Sequence, residues 1–166
     1  MSKQPKWLPL SLNDLERVDR IANVIHTELP ERSEVFVEKI KLFPSGCWKL
    51  VSEENVVGYG ISHPWKLFSI PPLDEFLGAI PEDADCIYIH DVAVLPDARG
   101  HQAAAHYLKL IRNIAAGLSI AKLACVSVYG TDVLWSRYGF KAAICESMTS
   151  KLRTYGDSAK YMIADV

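Results

Sequence analysis

Residues 86–105 hold the densest set of groups that could do chemistry. Cys86 to Leu95 is nearly continuous in apolar residues, broken by Tyr88, His90 and Asp91. Such a run reads as a central strand. Pro96-Asp97-Ala98-Arg99-Gly100 reads as a turn, and His101 to Ala116 as a helix ending at Gly117. Ala104, Tyr107, Leu108, Ile111 and Ala115 fall on one face of it. A strand that runs through a turn into a helix N-terminus presents free backbone N–H groups and the positive end of the helix dipole. That suits a phosphate or pyrophosphate. Gly100 lets the chain bend, the small Ala103, Ala104 and Ala105 permit close approach, and Arg99 adds a charge at the mouth. The plain alternative is an ordinary β-turn-α connection with an alanine-rich helix.

Other chemistries are disfavoured. Cys47, Cys86, Cys125 and Cys145 form no C-x-x-C pair and read as reduced, mostly buried thiols of a cytoplasmic protein. His101 and His106 have a spacing seen in zinc fingers but no cysteine pair accompanies them, and there is no H-E-x-x-H, so no metal is expected. Gly58-x-Gly60 lies within a strand pattern and opens no helix, so it is not a dinucleotide turn.

The elements must position these groups within one domain, residues 1–166. Apolar residues make up 49% and charged residues 23%, with a net charge of −2, which points to a globular chain without a nucleic-acid face. No window reaches the roughly 18 apolar residues of a membrane span, and the polar start gives no secretory signal. Trp7 to Leu10 suggests a short strand. Ser11 and Asp14 make a capping signal for a helix carrying Leu15, Val18, Ile21, Ala22 and Ile25 and ending at Pro30. Ser33–Phe43 reads as a second helix with Phe36, Val37 and Ile40 inward. Cys47–Ser52 and Asn55–Ser62 read as paired strands. Residues 63–84 form a long loop carrying Trp65, Phe68 and Phe76, which is unusual for a solvated linker. Leu123–Val128 reads as a strand, Thr131–Tyr138 as a short helix, and Phe140–Met148 and Lys160–Asp165 as closing strands. The fold class is α/β (α+β), a mixed sheet flanked by helices.

Val92-Ala93-Val94-Leu95-Pro96-Asp97-Ala98-Arg99-Gly100-His101-Gln102-Ala103-Ala104 resembles the acetyl-CoA signature of the GNAT N-acetyltransferases, an R/Q-x-x-G-x-G/A stretch after a V-x-V-x-P strand end. Leu134-Trp135-Ser136-Arg137-Tyr138-Gly139-Phe140 is similar to a second signature, an aromatic residue four before a Gly-Phe pair. The element order fits along the whole chain. Val57 to Trp65, the long loop, and Tyr88 to Val94 with His90 four before the last valine resemble the arylalkylamine (serotonin-type) branch, whose partner histidine is Tyr88 here.

The resemblance implies a mixed, mostly antiparallel sheet splayed between its fourth and fifth strands, with acetyl-CoA in the splay. Val92, Ala93 and Val94 would hold the pantetheine arm and thioester carbonyl. Arg99, Gly100, His101, Gln102, Ala103, Ala104 and Ala105 would hold the pyrophosphate. An amine would attack the thioester directly, through a tetrahedral intermediate that expels the CoA thiolate. An alkylamine arrives as an ammonium with a pKa of about 10, and an imidazole near about 6.5 suits removal of its proton. His90 is the candidate base, Tyr88 a positioning or relay group on the same strand face, and His63 a second base candidate. Asp91 should face the other way unless a bulge intervenes. Trp65 and Phe68, with Phe76, could form an aromatic wall for the substrate, and Asp74 and Glu75 could attract its charge. His26 and His106 read as surface or packing residues.

Two positions depart from the family pattern. Gln102 replaces the second signature glycine, so its Cβ could crowd the pyrophosphate. Trp135 stands where a tyrosine usually protonates the departing thiolate, and an indole N–H is no acid near neutral pH. Trp135 also reads as a substrate-side or packing residue, and Tyr138 or Tyr129 could substitute as the acid. The expected activity is acetyl transfer to a small primary amine by a monomer or homodimer. The rivals are a protein lysine or N-terminal acetyltransferase and a non-catalytic domain that senses CoA or a metabolite.

Overall fold

The computed structural model describes residues 3–166. The elements run β1 (Lys6–Pro9), a 3-10 turn (Leu12–Asp14) leading into α1 (Leu15–Ile25), α2 (Ser33–Leu42), β2 (Cys47–Ser52), β3 (Asn55–Trp65) and β4 (Cys86–Val94). They continue through α3 (Ala103–Gly117), β5 (Lys122–Ser127), α4 (Asp132–Arg137), β6 (Lys141–Ala142), α5 (Thr149–Thr154) and β7 (Lys160–Asp165). The sheet has seven strands in the order β1-β2-β3-β4-β5-β7-β6. Every pairing is antiparallel except β4 with β5. This is the mixed α/β architecture expected from the sequence.

The β4–β5 seam is short. It holds only Ile87↔Leu123, Tyr88↔Ala124 and Ile89↔Cys125. Past Ile89 the two strands part, and the sheet splays. On the other side of β4 the register with β3 slips at the same level: Ile61 faces Asp91 but Ser62 faces Ile89, leaving His90 as the extra residue of a β-bulge. A bulge adds one residue and inverts the alternation of everything beyond it. Ile87 and Ile89 pack with Tyr107, Leu108 and Ile111 of α3, and beyond the bulge Val92 takes over that face. Ala93 therefore joins Val18, Ile21, Phe36, Ile40 and Tyr59 under α1 and α2.

Each helix is placed by identifiable contacts. The Asp14 carboxylate accepts the backbone N–H and hydroxyl of Ser11, as the capping signal suggests, and also the Lys49 ammonium at 2.9 Å. Tyr107 fixes α3 against the sheet: its hydroxyl donates to the Gly46 carbonyl at 2.9 Å and meets Ser62 Oγ at 2.7 Å. The indole of Trp7 donates to the Ala103 carbonyl at 2.8 Å, tying edge strand β1 to the first turn of α3.

Four boundaries differ from the sequence reading. α1 stops at Ile25, well before Pro30, because His26 leaves helical geometry to cap it. β3 runs on to Trp65, and Pro64 is tolerated because β2 stops pairing with β3 after Ile61. α3 begins at Ala103, with Gln102 as its left-handed cap. Phe140–Met148 is not a strand: only Lys141–Ala142 pair, Ile144 is almost fully exposed, and a 3-10 turn (Glu146–Met148) leads into α5. The apolar residues there serve separate purposes, Phe140 under α3 and Met148 under the long loop.

Gly60 explains how α3 can lie so close to β3. A Cβ there would sit 2.4 Å from the Tyr107 ring, whereas one at Gly117 meets nothing within 4 Å. Gly60→Ala is expected to cost about 1–3 kcal/mol in urea unfolding, and Gly117→Ala to gain up to about 1 kcal/mol.

Candidate functional site

The splay opens a cleft of about 920 Å³. One wall is β4 from Tyr88 to Val94. The opposite wall comes from Val126, Val128, Tyr129 and, on α4, Trp135, with Tyr138 just beyond it. One end is formed by Arg99, Gly100, Gln102, Ala103 and Ala104; His26, Leu29, Glu31, Leu73 and Tyr155 also line the cleft. The structure thus brings His90, Tyr88, Tyr138, Trp135 and Tyr129 to one cavity together with most of the turn before α3. His101 and Ala105 do not line it.

The turn end fits an anion. Gly100 has φ of 91°, and Gln102 sits at φ 54° and ψ 30° immediately before α3. That left-handed geometry is what a glycine would supply freely, and the glutamine adopts it at a cost of about 1–2 kcal/mol. Its side chain is exposed. The Arg99 guanidinium folds back, with Nε donating to the Val94 carbonyl at 2.9 Å.

The bulge governs the acid–base groups. His90 Nε2 lies 2.9 and 3.2 Å from the two oxygens of Glu31. A carboxylate only accepts, so Nε2 carries a hydrogen, and in the neutral imidazole Nδ1 keeps a lone pair. Nδ1 is buried and meets no hydrogen-bond partner among the described residues. Glu31 in turn accepts the Asp74 N–H at 3.1 Å, and Arg32 holds the Asp74 carboxylate. Burial alone would raise the Glu31 pKa, but a protonated His90, through its charge and its hydrogen bond, outweighs it and holds the carboxyl at about 2. Lys39, fully buried, adds positive charge to this side, although burial pulls its own pKa down against the attraction of Glu31 and Glu38.

Asp91 also turns toward α1, because the bulge does intervene. It accepts from Tyr59 at 2.6 Å and from His26 at 2.7 Å. His26 is thus a site residue rather than a surface one. Glu31, His26 and Tyr59 carried no motif in the sequence. His26 and Glu31 lie in the connection between α1 and α2 and Tyr59 on β3, and only the register slip, which no local pattern marks, brings them to β4.

Several expected residues lie elsewhere. Trp65 does not line the cleft; it packs with the loop cluster, its ring 5.3 Å from that of His63. Phe68 is half exposed and lies against Tyr161, and Phe76 is exposed beside the Arg32 guanidinium. The aromatic wall of Trp65, Phe68 and Phe76 is therefore not formed, because β3 carries Trp65 past the cleft and the loop folds its other rings outward. Asp74 is occupied by Arg32, and Glu75 does not reach the cavity. His63 is completely buried behind Tyr88 rather than in the cleft. Tyr88 is likewise buried, which raises its pKa well above the ordinary tyrosine value, so it acts as a neutral hydroxyl beside Tyr155. The Tyr88 end of the cleft is instead walled by Tyr155, Leu29 and Leu73.

The model of the family described as acetyltransferase (GNAT) family matches residues 12–138. The chain belongs to the GNAT acetyltransferase family. It is therefore an acyltransferase by family. The fold is also that of solved structures with low identity. The Ard1 structure from Thermoplasma volcanium aligns with a TM-score of 0.75 at 15% identity, over 99% of each chain. The PaiA N-acetyltransferase from Thermoplasma acidophilum in complex with coenzyme A aligns at 0.66 and 14% identity, over 99% of this chain and 100% of that one. The GphF GNAT-like decarboxylase in complex with isobutyryl-CoA aligns at 0.77 and 14%, over 96% and 98%. No curated protein matches this GNAT chain in sequence. No described helix is long and apolar enough to cross a membrane, and no group of three or more metal-ligating side chains occurs among the described residues.

The buried His63 has a consequence for pH. Burial, together with the neighbouring His90, pulls its pKa down to about 3. The unfolded chain binds a proton near pH 6.5 that the folded one refuses. His63 therefore contributes stability that is present above about pH 6.5 and lost as pH falls toward 3, at up to about 1.4 kcal/mol per pH unit. Urea unfolding between pH 6.5 and 5 is expected to show this slope, and His63→Leu to flatten it.

Proposed function

We propose that this GNAT domain, residues 1–166, transfers an acetyl group from acetyl-CoA to a small primary amine, an aryl- or alkylamine, in the cytoplasm, working as a monomer or homodimer. The observation that carries the reading is the bulge that places the Glu31-bound His90 in the cleft where β4 and β5 part. Acetyl-CoA supplies the acetyl group already activated as a thioester. Val92, Ala93 and Val94, unpaired on their β5 side, offer backbone groups to its pantetheine arm, and the turn from Gly100 to Ala105 offers N–H groups to its pyrophosphate.

The amine must lose a proton before its nitrogen can attack. His90 is the acceptor. Glu31 holds the Nε2 hydrogen, so the incoming proton goes to Nδ1, and the carboxylate then faces an imidazolium. The His90 side chain borders the cleft and is only 1% exposed. Tyr88 packs its ring beside the imidazole, with centroids 6.2 Å apart, and limits its rotation. Tyr138 and Trp135 close the wall across from β4.

A small acceptor is favoured over a peptide by what covers the acceptor end. The Tyr155 hydroxyl donates to the Pro71 carbonyl at 2.7 Å and Lys151 Nζ to the Ile70 carbonyl at 3.1 Å, which ties α5 to the long loop over the Tyr88 end of the cleft. Four free cysteines suit a reducing compartment.

Calorimetry with acetyl-CoA, followed by CoA release with 2-phenylethylamine and a panel of primary amines, tests the reading. Saturable binding and amine-dependent CoA release are expected. His90→Ala is expected to lower turnover by about 10²–10⁴-fold and Glu31→Gln by about tenfold or more. Binding without release to any amine would favour the sensing domain, and release to peptide N-termini alone would favour the protein acetyltransferase. No heat at millimolar acetyl-CoA would overturn both the donor and the activity.

A further inference from the structure

The loop between β3 and β4 is fastened to the α1–α2 layer at two places. At one, Glu38 of α2 accepts the Leu77 N–H at 2.6 Å and the Gly78 N–H at 3.0 Å. At the other, Asp74 meets Glu31 and Arg32, which lead into α2. The Asp74 N–H donates to Glu31 Oε2 at 3.1 Å. In return the Arg32 N–H donates to Asp74 Oδ1 at 2.7 Å, Arg32 Nε to both carboxylate oxygens at 3.2 Å, and Arg32 Nη2 to the Asp74 carbonyl at 2.8 Å. The N–H, the carbonyl and the carboxylate of one loop residue are thus all engaged by two consecutive residues of the helical layer.

We propose that Arg32, acting through Asp74, is a positioning residue for the Glu31–His90 pair, so that the loop is a working part of the site and not only its cover. The inference rests on the reading of His90 as the group that takes the amine proton.

The clasp is poorly explained as a source of stability. The Arg32 and Asp74 side chains are 56% and 37% exposed, and an ion pair so open to water contributes little. What so many bonds to one residue supply is direction. Asp74 is held at φ 57°, in the left-handed region, a strained conformation that persists only where its surroundings fix it. The Arg32 guanidinium also lies over the Phe76 ring, 5.7 Å from its centre, so the planar fork is held on its face as well as at its edge.

The direction supplied is that of the Glu31 carboxylate. Its Oε2, which takes the Asp74 N–H, is 3.2 Å from His90 Nε2, and its Oε1 is 2.9 Å from the same nitrogen. The last torsion of a glutamate is broad, so one partner alone sets the carboxylate plane weakly. With His90 on one side and the Asp74 N–H on the other, the plane is defined. Leu73, the neighbour of Asp74, lines the cleft, so the same clasp places a wall of the cleft and the partner of His90 together. Glu38 supplies the comparison. It holds the same loop by two bonds, yet it makes none to Glu31 or His90 among the described residues.

Steady-state CoA release with the fastest primary amine of the panel, beside calorimetry with acetyl-CoA, separates positioning from a loosened loop. Arg32→Ala and Asp74→Gly are expected to lower kcat by about ten- to a hundredfold with the acetyl-CoA Kd unchanged. Glycine takes the left-handed backbone freely, so Asp74→Gly removes the carboxylate without adding strain. Asp74→Asn keeps the N–H and one acceptor oxygen and is expected to retain most of the rate. Glu38→Ala is expected to keep the wild-type kcat. In proton spectra the His90 Nε2 hydrogen is expected as a downfield resonance in the wild type and in Glu38→Ala, and broadened by exchange with water in Arg32→Ala. An unchanged kcat or an unchanged resonance in Arg32→Ala, or an equal fall of kcat in Glu38→Ala, would overturn the proposal and leave the acetyl-transfer reading in place. A wild type that releases CoA to no amine would overturn that reading, and this proposal with it.

Discussion

The extra residue at His90 sets which side chains of β4 meet the connection between α1 and α2. A strand in strict alternation would send Tyr88 and His90 to one face and Asp91 and Ala93 to the other. With one residue inserted, His90, Asp91 and Ala93 all serve the side covered by α1 and α2. Two polar side chains in succession then meet two polar partners, Glu31 and His26, from the helical layer. The parting of β4 from β5 begins at the same level. One irregularity in register thus aligns the acid–base groups with the cleft they face.

The layer that receives those groups is built to hold charge away from water. Glu31 is nearly buried, yet it has His90, the Asp74 N–H and the field of Lys39 around it. Asp91 has both Tyr59 and His26. Buried carboxylates persist only when so supplied. Arg32 and Asp74 extend the network to the long loop, which fixes the α1–α2 connection where it faces β4.

Much of the fold was legible in the sequence. Strand β2 and strand β7 fall where their alternation puts them, and the turn from Arg99 to Ala104 announces the helix that follows, because these features are encoded within a few residues. The cleft residues His90, Tyr129, Trp135 and Tyr138 were found through the family pattern. What failed did so for physical reasons. Trp65, Phe68 and Phe76 are aromatic and near the site in sequence, but a loop's composition says nothing of which way it folds. Phe140–Met148 carries strand-like residues whose burial is divided between two clusters. Glu31 and His26 look like ordinary helix-end residues until the register of a strand 59 and 65 positions away is known.

The three-rung seam has a mechanical consequence. The sheet is two blocks, β1 to β4 and β5-β7-β6, held together by a seam far shorter than the eight paired positions joining β3 to β4. The covalent link between the blocks is α3, clamped to the first block at Tyr107 and Trp7 and packed against Leu123 and Cys125 of the second. A ligand with amide groups, lying in the splay as proposed for acetyl-CoA, would complete the missing part of the seam. It acts as a zipper tooth, so amide protons of β5 should exchange more slowly once it is seated, and the blocks should open as units when it leaves.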